Sequence, residues 1–202
     1  SDRPVSHIIM NKKKLIINAA IKVFARDGLE KGKIADIAKK AGIGKGTVYG
    51  YFRSKDDIFK AIEQSMFSEI ATAFKSIKSS SLSPTDKILH IMNWSLDMSM
   101  EMGDTMLIIT ELWAQASRGH YHGTTSSQLV DFYQDYKHEI ENILDEGIHA
   151  DEFREMNKEG VATMLMAFLD GLGLQIIIMK DVKVFNKVKD EAIESFMRGI
   201  IK

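Results

Sequence analysis

Apolar residues recur every three or four positions along most of the chain, and the shortest such runs are the most telling. Ile34, Ile37, Ala38 and Ala41 fall at i, i+3, i+4 and i+7, one face of a helix. Gly42 follows at once, a residue that takes positive φ without steric cost and so ends helices. A second run begins near Gly44–Lys45 and ends near Tyr51. Val48, Tyr51 and Phe52 share one side of it, leaving Lys45, Thr47, Tyr49 and Gly50 on the other. A helix of two turns stabilises itself poorly. It makes sense docked on a neighbour with its polar side offered to a partner. Two short helices broken by a glycine turn are the layout of a helix-turn-helix, which sets its second helix in the DNA major groove.

The flanking pattern extends the same periodicity. A first helix is predicted over Lys12–Asp27, with Leu15, Ala19, Val23 and Phe24 on its apolar face and Gly28 as its stop. Residues 1–10 are expected to form a flexible tail. Ser54 to Asp57 reads as a capping box that starts a long helix to about Lys78, with Ile58, Ile62, Met66, Ile70, Phe74 and Ile77 periodic. Ser79–Ser83 is a polar break. Ser83 and Pro84 open a helix to about Glu101 with a hydroxyl cap and a proline at its first position. Further helices are predicted over Thr105–Ser117, from Thr124 to about His149, from an Asn157 cap to about Lys180, and over Val184–Ile201. The expected fold is all-α, with about nine helices and no strand.

These motifs carry a resemblance. Ala19, Phe24, Gly28, Asp36-Ile37-Ala38, Ala41-Gly42-Ile43, Lys45-Gly46, Tyr49, Tyr51-Phe52 and Lys55 together resemble the TetR family of bacterial transcriptional repressors. The match is dense over about residues 12–60, and a looser echo runs through Gly160–Gln175, around Leu169-Asp170-Gly171-Leu172. The resemblance implies a DNA-binding domain over residues 1–55 and a helical ligand-binding and dimerisation domain over 56–202. The family usually has a hydroxyl residue at the positions of Gly32 and Gly44, and a larger polar residue at Gly50. These departures bear on which DNA sequence is read.

Charge agrees with that division. Residues 1–60 hold 14 Lys/Arg against 6 Asp/Glu, whereas residues 61–202 hold 13 against 22. A basic end on an acidic body suits a polyanion binder with a separate regulatory part. There is no cysteine, so thiolate and disulfide chemistry are excluded. No unbroken apolar run approaches the roughly 20 residues of a membrane span, and residues 1–10 lack the apolar core of a secretory signal. A cytoplasmic protein without membrane contact is the expectation.

Lys45, Gly46, Thr47, Tyr49, Gly50 and Lys55 form the expected DNA-binding set. Tyr49 and Lys55 are assigned to phosphates, which set register, and Thr47 to a base. Lys12–Lys14 are placed to add backbone or minor-groove contacts. Met92, Met98, Met100, Met102 and Met106 crowd one region with Trp94 and Trp113. Methionine is pliable and fits either an ordinary core or a cavity for varied apolar molecules. The family's second domain usually binds a small inducer, so the resemblance favours the cavity. Its expected lining is Trp94, Met98, Met102, Met106, Trp113, Phe132, Tyr136 and Phe168, with Tyr133 and Gln175 on helices able to join it. Leu165, Leu169, Leu172, Ile176, Phe196 and Ile200 repeat along the last two helices. They fit either a monomer core or a two-fold four-helix interface, and the resemblance favours the interface.

His120 and His122 flank Tyr121 without an evident third ligand, so no metal site is expected. Catalysis finds no foothold. No phosphate loop follows a strand, and Gly44-Lys45-Gly46-Thr47 lacks the upstream glycine of a P-loop. No cofactor is expected, and a helical enzyme is the remote alternative. The resemblance and the pattern together imply a homodimeric repressor of a pseudo-palindromic operator, released by a small apolar effector. A regulator governed by a protein partner is the nearer alternative.

Overall fold

A computed structural model describes residues 3–118, 125–179 and 181–202. Among them the chain forms nine helices and no strand: α1 (Arg3–Lys31), α2 (Ile34–Ala41), α3 (Lys45–Tyr51), α4 (Lys55–Lys78), α5 (Pro84–Glu101), α6 (Asp104–Arg118), α7 (Thr125–His149), α8 (Lys158–Met179) and α9 (Val182–Ile200). Helix α1 begins at Arg3, nine residues before the expected start at Lys12. No helix breaker lies between Pro4 and Asp27, and a proline is tolerated in a first turn, where its missing N–H has no partner to lose. Gly28 breaks the helix as expected, with φ 75° and ψ 163°.

Local chemistry sets most of the boundaries. Gly42 adopts the left-handed conformation (φ 67°, ψ 29°) and turns the chain between α2 and α3. Ser54 Oγ accepts from Asp57 N–H at 3.1 Å, while Asp57 Oδ2 accepts from Arg53 N–H at 3.1 Å. Ser83 Oγ likewise accepts from Asp86 N–H ahead of Pro84, and Asn157 Oδ1 accepts from Gly160 N–H. Each caps donors that a helix start leaves unpaired.

Gly32 is dictated by packing. A Cβ there would lie 2.7 Å from the Phe24 ring and 3.1 Å from the Gly28 carbonyl oxygen. The hydroxyl residue usual in the family does not fit unless Phe24 moves.

Two cores share the molecule. The head core joins Ile16, Ala20, Val23 and Phe24 of α1 to Ile37 of α2, Val48 of α3 and Ile58, Phe59 and Ile62 of α4. It continues to Met66, past residue 55, and takes in Ile108 and Leu112 of α6. The body core joins Phe74 and Ile77 of α4 to α5, α7, α8 and α9 around Ile91, Leu96, Ile140, Leu144 and Leu165. Thus α4 belongs to both cores, and α6 of the body is sunk into the head.

The C-terminus is tied to the body. Arg154 N–H donates to the Ile200 carbonyl at 3.0 Å, and Lys202 N–H to the Glu152 carbonyl at 3.1 Å. Glu152 Oε2 in turn accepts from the N–H and hydroxyl of Thr85 at the start of α5. Two buried lysines of the body are paired, Lys87 with Glu146 at 2.7 Å and Lys189 with Asp97 at 2.5 Å.

Candidate nucleic-acid interface and effector cavity

Helix α3 is held by one fully buried side chain, Val48, and by Phe52 just past its end. Burying a valine contributes about 1.5–3 kcal/mol, enough to dock seven residues that would not stay helical alone. The opposite side is open. Lys45, Gly46, Tyr49 and Gly50 are exposed, and Thr47 is half-buried. A Cβ at Gly46 or Gly50 would meet nothing within 4 Å, so both glycines lie on free surface. The Lys45 ammonium sits 5.8 Å from the centre of the Tyr49 ring, a cation–π contact along the outer face. Lys12, Lys13 and Lys14 are exposed on α1, and Lys13 lies 5.8 Å from the centre of the Phe52 ring. The short helix thus presents a cation, a hydroxyl, a phenol and bare backbone on one side.

Lys55 differs from the other five residues of the expected DNA set. Its Nζ donates to the carbonyls of Leu29 (2.7 Å) and Glu30 (2.5 Å) at the end of α1. It ties α4 to the turn after Gly28, so its charge already has structural work.

A cavity of about 90 Å³ lies between α4, α5, α6, α7 and α8. Of the eight expected lining residues, Met98, Met102, Met106, Trp113, Phe132 and Tyr136 face it. Trp94 and Phe168 do not, and this corrects the expectation. Trp94 sets its edge against Phe74 at 6.4 Å, inside the body core, and Phe168 stacks on Phe196 at 6.3 Å. Their helices carry apolar residues on several sides, so proximity in sequence did not say which side was inward. The wall from α4, made by Met66, Phe67 and Ile70, was missed as a lining. Its signal was present, because Met66 and Ile70 belong to the periodic face of that helix. Phe67 stacks on Phe132 at 4.5 Å and joins the two walls.

The cavity's polar groups form a chain. Trp113 Nε1–H donates to Tyr133 Oη at 2.9 Å, and Tyr133 O–H donates to Asp170 Oδ2 at 2.8 Å. Burial, with the Asp170 charge beside it, pushes the Tyr133 phenol well above its ordinary value. Burial likewise raises Tyr136, which bonds Ser95, and raises the Asp170 carboxyl against the opposing pull of its bond from Tyr133. Gly173 allows α8 to come close, since a Cβ there would sit 3.1 Å from Ser99 Oγ and 3.3 Å from Met106 Cε. Beside the cavity an open groove between α4 and α7 shares Ile70, Phe132 and Tyr136 with it.

One further carboxyl stands out. Glu63 on α4 has no exposed surface, and among the described residues neither of its carboxylate oxygens finds a hydrogen-bond partner. Burial raises its pKa to about 7, with Lys60 pulling the other way.

The expected interface residues need correcting too. Leu165, Leu169, Phe196 and Ile200 are buried within one protomer, and Leu169 lines the cavity. Leu172 and Ile176 are half-buried against the body core. The exposed side of α8 instead carries Met164, Ala167 and Ile178, with Phe168, Gly171 and Leu174 half-exposed. That of α9 carries Val188 and Ser195, with Ala192 and Gly199 half-exposed. Residues 158–176 have a mean hydropathy of 1.2, yet only 28% of that stretch is buried. A helix apolar all round conceals from its sequence which side its own protomer covers. His120 and His122 lie outside the described residues.

Residues 16–62 match the bacterial regulatory proteins of the tetR family, and residues 85–202 match the C-terminal region of QacR-like proteins. The chain is 26% identical over 141 residues to the fatty acid metabolism regulator protein of Bacillus subtilis, covering 69% of this chain and 70% of that one. It is 24% identical over 168 residues to the nicotine-responsive transcriptional repressor HdnoR of Paenarthrobacter nicotinovorans, covering 82% and 84%. The fold of a transcriptional regulator from Saccharomonospora viridis, solved in complex with choline, superposes with a TM-score of 0.82 at 19% identity, covering 96% and 99%. Head and body match in the same order and over nearly the whole chain, and the protein belongs to the TetR family of transcriptional regulators.

Proposed function

We propose that the chain is a homodimeric repressor whose two α3 helices enter successive major grooves and which leaves DNA when a small molecule fills the body cavity. Lys45 and Tyr49 contact phosphates, and Thr47 contacts a base through its hydroxyl or its methyl. Lys55 adds a phosphate contact only with the donor capacity left by Leu29 and Glu30. Dimerisation uses the exposed apolar side of α8 and α9, and a two-fold pair of heads reads a pseudo-palindrome.

The observation that carries the release mechanism is the double membership of α6. Leu112 is part of the head core and also lines the cavity. Ile108 is buried in the head, while Met106, Ile109 and Trp113 of the same helix face the cavity. A molecule that spreads the cavity therefore pushes on the head directly, alongside α4. Only a ligand that binds the released state better than the DNA-bound state shifts the balance.

The relatives include a fatty acid metabolism regulator, a nicotine-responsive repressor and a regulator solved with choline. They support small-molecule control without agreeing on the molecule.

The test is selection of genomic duplex fragments by the purified protein, followed by footprinting. Two protected half-sites about one helical turn apart are expected. Absence of any bound duplex at low salt would overturn the reading.

A further inference from the structure

One side chain fastens the two ends of the helix-turn-helix to each other. Neither helix of that unit starts on a capping side chain, since Lys33 before α2 and Gly44 before α3 make no such bond. The starts of α4, α5 and α8 are capped, by Ser54, Ser83 and Asn157. The unit buries little of its own: Ile37 and Ala38 of α2 and Val48 of α3. Its entrance and its exit are joined by Lys55. The Lys55 ammonium donates to the Leu29 carbonyl at 2.7 Å and to the Glu30 carbonyl at 2.5 Å, across 26 and 25 positions of chain. The loop closed in this way encloses α2, the Gly42 turn and α3.

Electrostatics gives the tie a reason. Lys55 is the first residue of α4, where the positive end of the helix disfavours a cation. Its Nζ lies instead at the end of α1. The last carbonyls of a helix have no donor within it and carry the negative end of its dipole. Bonds from a charged donor to such groups are among the strong ones. Two of the three ammonium N–H groups are spent there. Lys55 is also half-buried, whereas Lys45 is exposed on the outer side of α3.

We infer that Lys55 is a positioning residue for DNA reading, which clamps the α2–α3 unit and sets the tilt at which α3 presents Thr47 to a base. This rests on the reading of α3 as the groove helix. A base contact fades steeply with distance and angle, while attraction to phosphates falls slowly with distance. A small tilt therefore loses the first before the second. The clamp governs discrimination between DNA sequences more than affinity for DNA as such.

The test separates the donors of Lys55 from its charge. The chain has no cysteine, so the thiol introduced by Lys55→Cys in the full-length protein is alkylated alone. Aminoethylation restores an ammonium with its donors, and a trimethylammonioethyl group restores the charge without them. Lys55→Met removes both. The probes are a duplex selected by the unaltered protein from a random pool and an unselected duplex of the same length. The aminoethyl form is expected to match the unaltered protein. The trimethylammonium form and Lys55→Met are expected to bind the selected duplex about tenfold more weakly, with the unselected duplex bound as before. Lys55→Met is expected to lack the fall of about one unit in salt slope that a lost phosphate contact gives. Amide exchange in α2 is expected to be faster in both. A trimethylammonium form that binds the selected duplex as well as the aminoethyl form would overturn the clamp and make Lys55 a phosphate contact. So would a loss shared equally by the two duplexes. Absence of any bound duplex would overturn the groove reading itself, and amide exchange, read without DNA, tests the clamp apart from it.

Discussion

The head and the body of this protein are built from the same helical period but obey different rules. In the head, α2 and α3 are short, amphipathic and punctuated by glycine. Each residue of α3 faces either Val48's core or open surface. In the body, α8 is apolar over most of its circumference. Its residues are divided among a monomer core, a cavity and an exposed face, and nothing local marks which is which. On the proposed reading, function in the head lies in what protrudes, whereas function in the body lies in what the packing leaves unfilled. The two meet at α6.

The largest effect is expected at that meeting point. Leu112→Ala removes a side chain with 2% exposure that the head core and the cavity wall share. The cost is about 3 kcal/mol of stability, read from urea unfolding. DNA affinity and effector affinity should change together. If Leu112→Ala altered effector binding alone, head and body would be independent and the route through α6 would be wrong.

Next is Glu63, buried without a partner in α4, the other helix common to both regions. Its folded pKa of about 7 lies above the ordinary 4.5. Between those values the unfolded chain holds fewer protons, so stability falls as pH rises from about 4.5 to 7 and stays lowered above. Glu63→Gln removes this titration. The stability of the variant relative to the wild type should therefore rise by about 2 kcal/mol from pH 5 to pH 8. Parallel pH profiles would mean that Glu63 is ionised at no cost in the folded protein.

A smaller effect isolates the head. Lys45→Ala should weaken every duplex to a similar degree and reduce the slope of log affinity against log salt by about one unit. Effector affinity in the absence of DNA should not move. A change in sequence preference instead would place Lys45 on a base edge.

How much of this was legible follows the same division. Gly28, Gly42, Ser54, Ser83 and Asn157 announced their turns and caps because each acts on neighbours within a few residues. The outward set of α3 followed from the position of Val48. In the body, six of the eight expected lining residues were found, since methionines and aromatic residues clustered in sequence. Trp94 and Phe168 were misplaced because rotation about a helix axis is set by distant contacts. The Trp113–Tyr133–Asp170 chain links positions 20 and 37 residues apart on three helices, so no local pattern encodes it. Gly32 carries the same lesson inside the head. It looked like a lost hydroxyl, and its cause is the Phe24 ring lying on it.

The smallest effect sharpens the contrast most. Gly44 is the N-cap of α3, with extended backbone (φ −69°, ψ 145°) that any residue adopts, and it makes no side-chain cap bond. A Cβ there would meet only Thr47 Oγ1, at an ordinary 3.8 Å. Gly44→Ser therefore adds an acceptor for an unpaired N–H at no steric cost and should stabilise the protein by a few tenths of a kcal/mol. The corresponding change in the body, Gly147→Ala, puts a Cβ 2.0 Å from the Phe153 ring and should destabilise by about 2 kcal/mol. Urea midpoints of the two variants should thus move in opposite directions. A loss at Gly44 would mean that the start of α3 is fixed by packing after all, and that the head obeys the body's rule.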